Sequence, residues 1–395
     1  MITDLQTQHP DRYGYYAMGT DRKTYSKIEL IESQYRMPSA WHWHYNDEFF
    51  GCFNWQQEPA ADLNELYRRR AQELRDSYDY LVLTYSGGHD SSNVLHSFLD
   101  NNIPLDEVLV YTSGHNEATE MNFEVRNYTL PKLERLRELN HDIRLRFVDF
   151  HDFYYEWDRP LVQAGYGANL LDMCGGMLTI NRFAIDLMHQ LVPEYQRIID
   201  SGRKLAWISG CEKPMLRYVN GHWTFNFHDT MIHGRITPFR QLIDQGDLGT
   251  YEFFYWSPTP AATQVMIKQC HAIRNHFGAQ ARADFSRIPE AKAYNAGYGW
   301  ELDRVSDRFL RLIYPGNFLR PESYMLYTGV NHIFANGQRD GWFWSTDHER
   351  NHLHRDMWQA LDGPRFSHFR SWYNDGHSVI SGIKNCISRD YVIGD

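Results

Sequence analysis

Residues 80–92 read YLVLTYSGGHDSS and combine three structural signals in one short stretch. Tyr80 to Tyr85 is a nearly continuous apolar run, which is typical of a strand covered on both faces. Two glycines follow, and they allow a tight turn in which the backbone comes close to a ligand. The helical residues Asn93 to Asp100 come next. A buried strand, a glycine-rich loop and a helix in this order indicate an α/β fold.

Helices and strands alternate on both sides of this stretch. Asp62 is the predicted N-cap of a helix that ends near Ser77, with Arg70 assigned to its exposed face. Further strands are predicted over residues 107–112, 142–148 and 204–209, with helices over 117–139 and 178–199 between them. This alternation predicts an open, parallel, doubly wound sheet with its functional crevice at the carboxyl ends of the strands.

The chain divides into three predicted regions. Residues 1–60 are aromatic and irregular and form a short N-terminal extension. Residues 61–237 contain the alternating elements of the sheet, and residues 238–395 form an α-rich C-terminal lobe that we expect to bind or cover the substrate. A chain of 395 residues is longer than a single hydrophobic core usually serves.

Composition excludes several classes of protein. The 40 Lys and Arg residues against 50 Asp and Glu residues leave a net charge of −10, which argues against a basic surface for duplex nucleic acid. There is no apolar run of about 18 residues and no secretory h-region, so we expect a cytoplasmic protein with no membrane contact. The five cysteines include no C-x-x-C pair, which argues against structural zinc or an iron–sulfur cluster.

The loop from Ser86 to Ser92 has the chemistry of a phosphate-binding loop. The helix after it offers unpaired backbone N–H groups and the positive end of its dipole, and three serine hydroxyls add donors. The Asp90 carboxylate would repel phosphate unless Mg²⁺ lay between them. No lysine follows as in a Walker A loop, and the third glycine of a dinucleotide fingerprint is missing. The alternative is a plain strand-to-helix turn whose serines cap the helix.

This S-G-G-x-D-S pattern resembles that of the PP-loop ATP pyrophosphatases, which are adenine nucleotide alpha hydrolase-like proteins with a Rossmann-like fold of the HUP type. The resemblance implies ATP and Mg²⁺ as cofactors, adenylation of a substrate oxygen and release of pyrophosphate. It implies Asp90 as catalytic residue and metal ligand, and a cofactor-binding loop made of Ser86, Gly87, Gly88, His89, Asp90, Ser91 and Ser92.

Residues 62–215 resemble above all the synthetase domain of asparagine synthetase and β-lactam synthetase. The amphipathic helix before the loop and a later strand that ends in Ser209-Gly210 are shared, which implies that these two residues bind the nucleotide. Two features differ from the family. Ile2 follows Met1 where the glutaminase nucleophile would be a cysteine, so we expect no ammonia-generating domain. Glu212 and Lys213 stand where the family has a glycine-rich turn and an acidic pair.

Secondary candidates surround the loop in the predicted sheet. Glu212 would replace the missing metal-binding acid, and Lys213 would neutralise charge on the leaving pyrophosphate, unless it is simply solvated. Arg182 is a candidate clamp for a substrate carboxylate. The end of the second strand would cradle the adenosine, or form a plain polar turn, through Tyr111, Thr112 and Ser113.

Histidine patterns suggest metal sites but carry little weight. His348 and His352 satisfy H-E-x-x-H, yet the surrounding helix is hydrophilic on all sides and Trp358 stands where a third histidine would be needed. A non-catalytic metal site including His354 is the alternative. His42 and His44 share one face of a strand-like segment, where we expect them to pack rather than bind metal.

Together these observations predict an AMP-forming ligase that joins an activated carboxyl or amide oxygen to ammonia or an amine. A PP-loop enzyme that modifies a tRNA or DNA base is the alternative, with aromatic residues as stacking platforms. A nucleotide-binding module without turnover is the alternative of another class. The sequence does not specify the acceptor, the ammonia source or the oligomeric state.

Overall fold

The computed structural model describes the loop and its surroundings without a gap from residue 41 to residue 112. The described residues are 14–18, 22–24, 27–36, 41–112, 125, 129–138, 142–149, 192–210, 213–214, 216–229, 250–287, 294–296, 310–314, 316 and 386–395.

The described elements are numbered here in chain order. Up to residue 112 they are β1 (Tyr15–Met18), β2 (Arg22–Thr24), α1 (Lys27–Arg36), β3 (Trp41–His44), α2 (Asp47–Gly51), α3 (Leu63–Ser77), β4 (Tyr80–Thr84), α4 (His89–Leu99) and β5 (Glu107–Thr112). After it they are α5 (Leu130–Glu138), β6 (Arg144–Asp149), α6 (Pro193–Asp200), β7 (Leu205–Ser209), β8 (Leu216–Val219), β9 (His222–Phe225), β10 (Thr250–Phe253), α7 (Pro260–Arg287), β11 (Tyr294–Ala296) and β12 (Tyr391–Gly394).

Five of these strands form a parallel sheet in the order β10-β7-β4-β5-β6. All four predicted strands are present, with starts within two residues of the predicted ones. Leu81, Val82 and Leu83 in the central strand β4 are fully buried, as the continuous apolar run predicts. The expectation of a parallel α/β sheet is therefore confirmed.

The order of the strands creates a point where the direction of winding reverses. From β4 the chain adds β5 and β6 on one side, and β7 and β10 lie on the other side. The reversal falls between β4 and β7, whose last residues, Thr84 and Ser209, are paired. In open α/β sheets, ligands bind in the crevice at the carboxyl ends of the strands beside such a reversal.

Helices α3 and α4 flank β4 in the chain and pack against each other. The Asp62 side chain accepts a hydrogen bond from the backbone N–H of Glu65 (2.9 Å), which confirms the predicted N-cap. Helix α4 begins at His89, four residues before the predicted start at Asn93. Gly88 is its N-cap, so the second half of the glycine-rich loop forms the first helical turn.

Arg70 was assigned to the exposed face of α3, and this prediction is wrong. Its side chain is almost completely buried. The guanidinium donates hydrogen bonds of 2.9 Å to the carbonyl oxygens of Phe253 and Phe254, at the end of β10. Because these carbonyls come from a segment about 180 residues away, the helical pattern alone does not reveal them.

Elements on the C-terminal side of residue 237 pack against the elements that precede that residue. Strand β10 extends the parallel sheet, and the long helix α7 packs on α3. A second, antiparallel sheet has the order β11-β8-β9-β12, in which β8 and β9 form a hairpin turning at Asn220 and Gly221. The boundaries proposed at residues 60 and 237 stay predictions.

In the part of the chain that the structure describes, none of the helices is both long enough and apolar enough to span a membrane.

Candidate nucleotide site

The glycine-rich loop lies at the carboxyl edge of the parallel sheet, beside the reversal between β4 and β7. Gly210 directly follows β7, and a Cβ on it would lie 2.9 Å from backbone atoms of Asp90 and Ser91. A glycine at this position therefore lets the end of β7 touch the first turn of α4. The structure thus brings the predicted Ser209-Gly210 segment into contact with the predicted loop.

Gly87 gives the loop its shape. Its φ is +71°, in the left-handed region that favours glycine, and a Cβ would lie 2.5 Å from Oγ1 of Thr129. That hydroxyl donates a 2.9 Å hydrogen bond to the carbonyl oxygen of Ser86. The Ser86 hydroxyl in turn accepts from the backbone N–H of Gly88 (3.2 Å). The loop is therefore fixed by its own backbone and by the chain just before α5.

The three predicted serines have different surroundings. Ser86 is exposed, whereas Ser91 and Ser92 are buried. The hydroxyls of Ser86 and Ser91 lie 3.2 Å apart, and the Ser92 hydroxyl lies 3.1 Å from the Tyr85 phenol. Ser92 therefore contacts the loop from the protein interior, and Ser86 lies on the surface that a ligand can reach.

The N-terminus of α4 carries no side-chain cap. The N-cap residue, Gly88, has an extended backbone (φ −70°, ψ 174°) and no side chain that could accept a hydrogen bond from the helix. Backbone N–H groups in the first turn of a helix need partners from outside the helix, and the dipole makes this end favourable for anions. His89 and Asp90 begin this turn.

Asp90 is paired with a cation and a phenol. Lys213, in the segment after β7, places its ammonium 3.2 Å from Oδ2 of Asp90 and 3.4 Å from Oδ1. The Tyr314 hydroxyl donates a 2.6 Å hydrogen bond to Oδ1. Two predicted catalytic residues, Asp90 and Lys213, are therefore in direct contact, although 123 positions separate them in the chain.

A cluster of buried phenols lies next to this pair. The Tyr255 hydroxyl donates to the carbonyl oxygen of Asp90 (3.3 Å) and accepts from the Asn93 amide (2.9 Å). Burial raises the pKa of the Tyr255 and Tyr314 phenols well above the ordinary value, and the nearby Asp90 charge adds to the shift. Both phenols therefore keep their protons at neutral pH and act as hydrogen-bond donors.

Sequence reasoning missed Lys132, a second lysine beside the loop. It lies in the first turn of α5, and its ammonium donates to the carbonyl oxygen of Gly87 (3.2 Å) and to the Ser92 hydroxyl (3.0 Å). Its position after β5, the neighbour of β4, is the signal that could have identified it. Tyr314 is also absent from the predicted site, because nothing local in the sequence indicates its contact with Asp90.

Other predicted site residues lie partly or wholly outside the described part of the chain. The backbones of Tyr111 and Thr112 end β5 and pair with β6, but their side chains are not described. The remaining candidates lie outside it altogether: Ser113, Arg182, Glu212, His348, His352 and His354.

Of the two histidines of β3, His44 packs against its neighbours as expected, whereas His42 is exposed. The His44 ring stacks on Tyr15, with centroids 5.0 Å apart, and its Nδ1 lies 2.9 Å from Oδ2 of Asp47. The His42 ring meets the His44 ring edge-on at 6.3 Å. Within the described residues, no group of three or more His, Cys, Asp or Glu side chains could hold a metal ion.

The residues present fit a phosphate group and its Mg²⁺. The uncapped start of α4, the exposed Ser86 hydroxyl and the two lysines suit phosphate oxygens. Mg²⁺ commonly binds one or two carboxylates together with substrate phosphates and water. Asp90 supplies one such carboxylate, with about a fifth of its side chain exposed.

Comparison with known proteins adds no assignment. No protein-family model matches this chain. A search of curated proteins also finds no match. The resemblance to PP-loop enzymes therefore rests on the sequence of residues 62–215, and the geometry around Asp90 is an independent observation about the loop in that region.

Proposed function

We propose that this protein is an ATP-dependent ligase of the adenylating kind, which forms AMP and pyrophosphate. Its acceptor would be activated at a carboxyl or amide oxygen and joined to ammonia or an amine. One observation carries the proposal: the loop from Ser86 to Ser92 lies at the winding reversal of a parallel sheet, with Asp90 beside Lys213.

The loop and its two lysines account for phosphate binding. Backbone N–H groups at the start of α4 and the Ser86 hydroxyl would donate to phosphate oxygens. Lys132 and Lys213 approach the loop from α5 and from the segment after β7, and each would offset negative charge on the leaving pyrophosphate. When bound, Mg²⁺ at Asp90 would neutralise further phosphate charge.

The proposed reaction balances without a side-chain nucleophile. A carboxylate oxygen of the acceptor attacks the α-phosphorus of ATP, and the bond to the bridging oxygen breaks, so that pyrophosphate leaves with the electron pair. The amine nitrogen then attacks the activated carbon and loses a proton, and AMP leaves with the electrons of the carbon–oxygen bond. Positioning and charge neutralisation would supply most of the acceleration.

The decisive experiment follows the products of ATP. Purified protein is incubated with ATP labelled in the α-phosphate, Mg²⁺ and pools of carboxylic acids, amines or nucleic acids. We expect AMP and pyrophosphate when the acceptor is present. Steady release of ADP and phosphate would overturn the proposal. ATP binding without turnover in any pool would favour the nucleotide-binding module, and AMP formed only with nucleic acid would favour the base-modifying alternative.

Asp90→Asn tests the metal-binding role. The amide keeps the size and still accepts a hydrogen bond from Tyr314, but it lacks the charge that holds Mg²⁺. We expect AMP formation to fall by roughly two orders of magnitude or more, while the melting temperature moves by less than about 3 °C. The matched control is Asp100→Asn at the C-terminal end of the same helix, which should keep the wild-type rate. Equal rates for the two variants would contradict the role given to Asp90.

A further inference from the structure

The two oxygens of the Asp90 carboxylate face different surroundings. Oδ1 accepts the 2.6 Å hydrogen bond from Tyr314, which is fully buried. Oδ2 is the oxygen nearer the Lys213 ammonium, at 3.2 Å, and that lysine side chain is 13% exposed. The ammonium also lies 3.4 Å from Oδ1, so both oxygens contact Lys213, but the buried Tyr314 phenol donates to Oδ1 alone.

Tyr314 is fixed by several contacts with other elements. Its ring lies 6.1 Å from the Tyr255 ring, and its backbone N–H donates to the carbonyl oxygen of Leu310 (2.7 Å). The preceding carbonyl, of Ile313, accepts from the Tyr67 hydroxyl on α3. Tyr67 also accepts from Gln269 on α7 (2.9 Å). Because α3 and α7 hold residues 310–314 in place, the phenol cannot move away from Asp90 without disturbing the core.

Lys213 differs from Tyr314 in its chemistry. It lies in the segment after β7, its side chain is 13% exposed, and its charge sits at the end of a flexible four-carbon chain. An ammonium and a divalent cation compete for the same carboxylate, and they repel each other. Because Tyr314 already occupies Oδ1, we expect the competition between Lys213 and another cation to fall mainly on Oδ2.

We propose that Tyr314 is a positioning residue of the nucleotide site. It holds Oδ1 of Asp90, so that Oδ2 faces a cation. That cation is Lys213 in this structure and would be Mg²⁺ when the nucleotide is bound. The inference rests on the proposed function, because it assumes that Asp90 meets Mg²⁺. It adds a residue from the distant region around position 314 to a site otherwise built near residues 86–92, 132 and 213.

A held carboxylate binds metal more tightly than one that rotates freely. Hydrogen-bond partners of metal-binding carboxylates orient the ligand, and their loss typically weakens metal binding by 10- to 100-fold. Without the Tyr314 hydroxyl, the Asp90 carboxylate could rotate about its contact with Lys213, which already reaches both oxygens (3.2 and 3.4 Å). The Mg²⁺ requirement of nucleotide binding should therefore report directly on Tyr314.

The experiment titrates MgCl₂ against the full-length protein and α,β-methylene ATP, an analogue that cannot release pyrophosphate, with binding followed by calorimetry. Tyr314→Phe should raise the Mg²⁺ concentration for half-maximal binding by about tenfold. At saturating Mg²⁺ the analogue should bind within about twofold of wild type, because excess metal compensates for the lost orientation.

Tyr195→Phe is the matched control for loss of a buried phenol. Tyr195 is also fully buried and also donates to a buried carboxylate, that of Glu107 (2.5 Å). Glu107 begins β5, so this pair lies at the opposite edge of the sheet. The control should lose stability like Tyr314→Phe but keep the wild-type Mg²⁺ requirement. Equal Mg²⁺ requirements in Tyr314→Phe and the control would overturn the inference and leave the proposed function intact.

Lys213→Met keeps the inference testable if Tyr314→Phe does not fold. Removing the competing ammonium should lower the Mg²⁺ requirement, the opposite of the change expected for Tyr314→Phe. A higher requirement in Lys213→Met would mean that the ammonium does not compete with Mg²⁺ for Asp90, and it would overturn the inference. If the wild-type protein does not bind the analogue at any Mg²⁺ concentration, the proposed function fails, and the inference fails with it.

Discussion

Gly87 occupies a backbone position that a residue with a Cβ does not fit. Its φ of +71° disfavours L-amino acids, and a Cβ would also approach Oγ1, Cα and N of Thr129 at 2.5, 3.0 and 3.1 Å. Two of these atoms belong to the backbone, so a side-chain rotation of Thr129 does not relieve the contact. The first glycine of the pair is therefore needed both for conformation and for space.

Gly87→Ala should destabilise the protein through both backbone strain and overpacking against Thr129, and Gly202→Ala should do so through backbone strain alone. Gly202 has a φ of +80° but has nothing within 4 Å of an added Cβ. We expect Gly202→Ala to lower the free energy of unfolding by about 1 kcal/mol. Gly87→Ala should lower it by about 3 kcal/mol, because overpacking adds to the backbone strain. Urea denaturation measures both values, and equal losses would show that the contact with Thr129 relaxes at no cost.

At the scale of elements, helix α3 connects the parallel sheet with the C-terminal half of the chain. Arg70 bonds the carbonyls at the end of β10, and its guanidinium also lies 2.6 Å from Glu73 and 3.5 Å from Glu252. Tyr67, one turn before Arg70, bonds the carbonyl oxygen of Ile313, next to Tyr314. The helix that precedes the glycine-rich loop therefore also positions the segment that completes the site.

Arg70→Met should destabilise the protein strongly. The change leaves two buried carbonyls and the Glu252 carboxylate without the guanidinium, and we expect a loss of about 3 kcal/mol. The control is Arg69→Met on the same helix, where the arginine is half exposed and pairs with Glu65. That change should cost less than about 0.5 kcal/mol. Similar urea midpoints for the two variants would mean that Arg70 does not connect α3 to β10.

At the scale of the whole molecule, His228 lies where distant parts of the chain meet. It follows β9, forms a β-bridge with Ile387 and stacks on Trp256, with ring centroids 6.4 Å apart. Burial lowers the pKa of His228 to about 4, although the neighbouring Asp229 acts to raise it and Arg217 to lower it. The folded protein therefore keeps this imidazole neutral over a pH range in which the unfolded chain protonates it.

This shift gives stability a defined pH dependence. The ordinary pKa of histidine is about 6.5, so the contribution of His228 is fully present above that pH. It is lost progressively as the pH falls from 6.5 towards 4, because only the unfolded chain gains the proton. Wild-type protein should therefore lose more stability between pH 7 and pH 5 than His228→Gln does, as measured by urea unfolding at both values. Identical losses would show that His228 titrates normally in the folded protein.

The sequence alone determined the features that depend on neighbours along the chain. The apolar run of β4, the Asp62 cap and the glycine-rich turn act over fewer than ten residues, so their patterns predicted the parallel sheet and the location of the loop. The hairpin at Asn220-Gly221 carries an equally local turn signal, although the predicted elements do not include it.

Only the tertiary structure decided which side chains surround the loop. Tyr314 lies 224 positions from Asp90, Lys213 lies 123 positions away, and Lys132 lies 45 positions from Gly87. The burial of Arg70 depends on carbonyls more than 180 positions away, and β10 joins the sheet from beyond the predicted boundary. No local pattern encodes these residue pairs, because their members lie on elements that are far apart in the chain. They meet only when those elements pack together, and that packing depends on the order of the strands in the sheet rather than on any single segment.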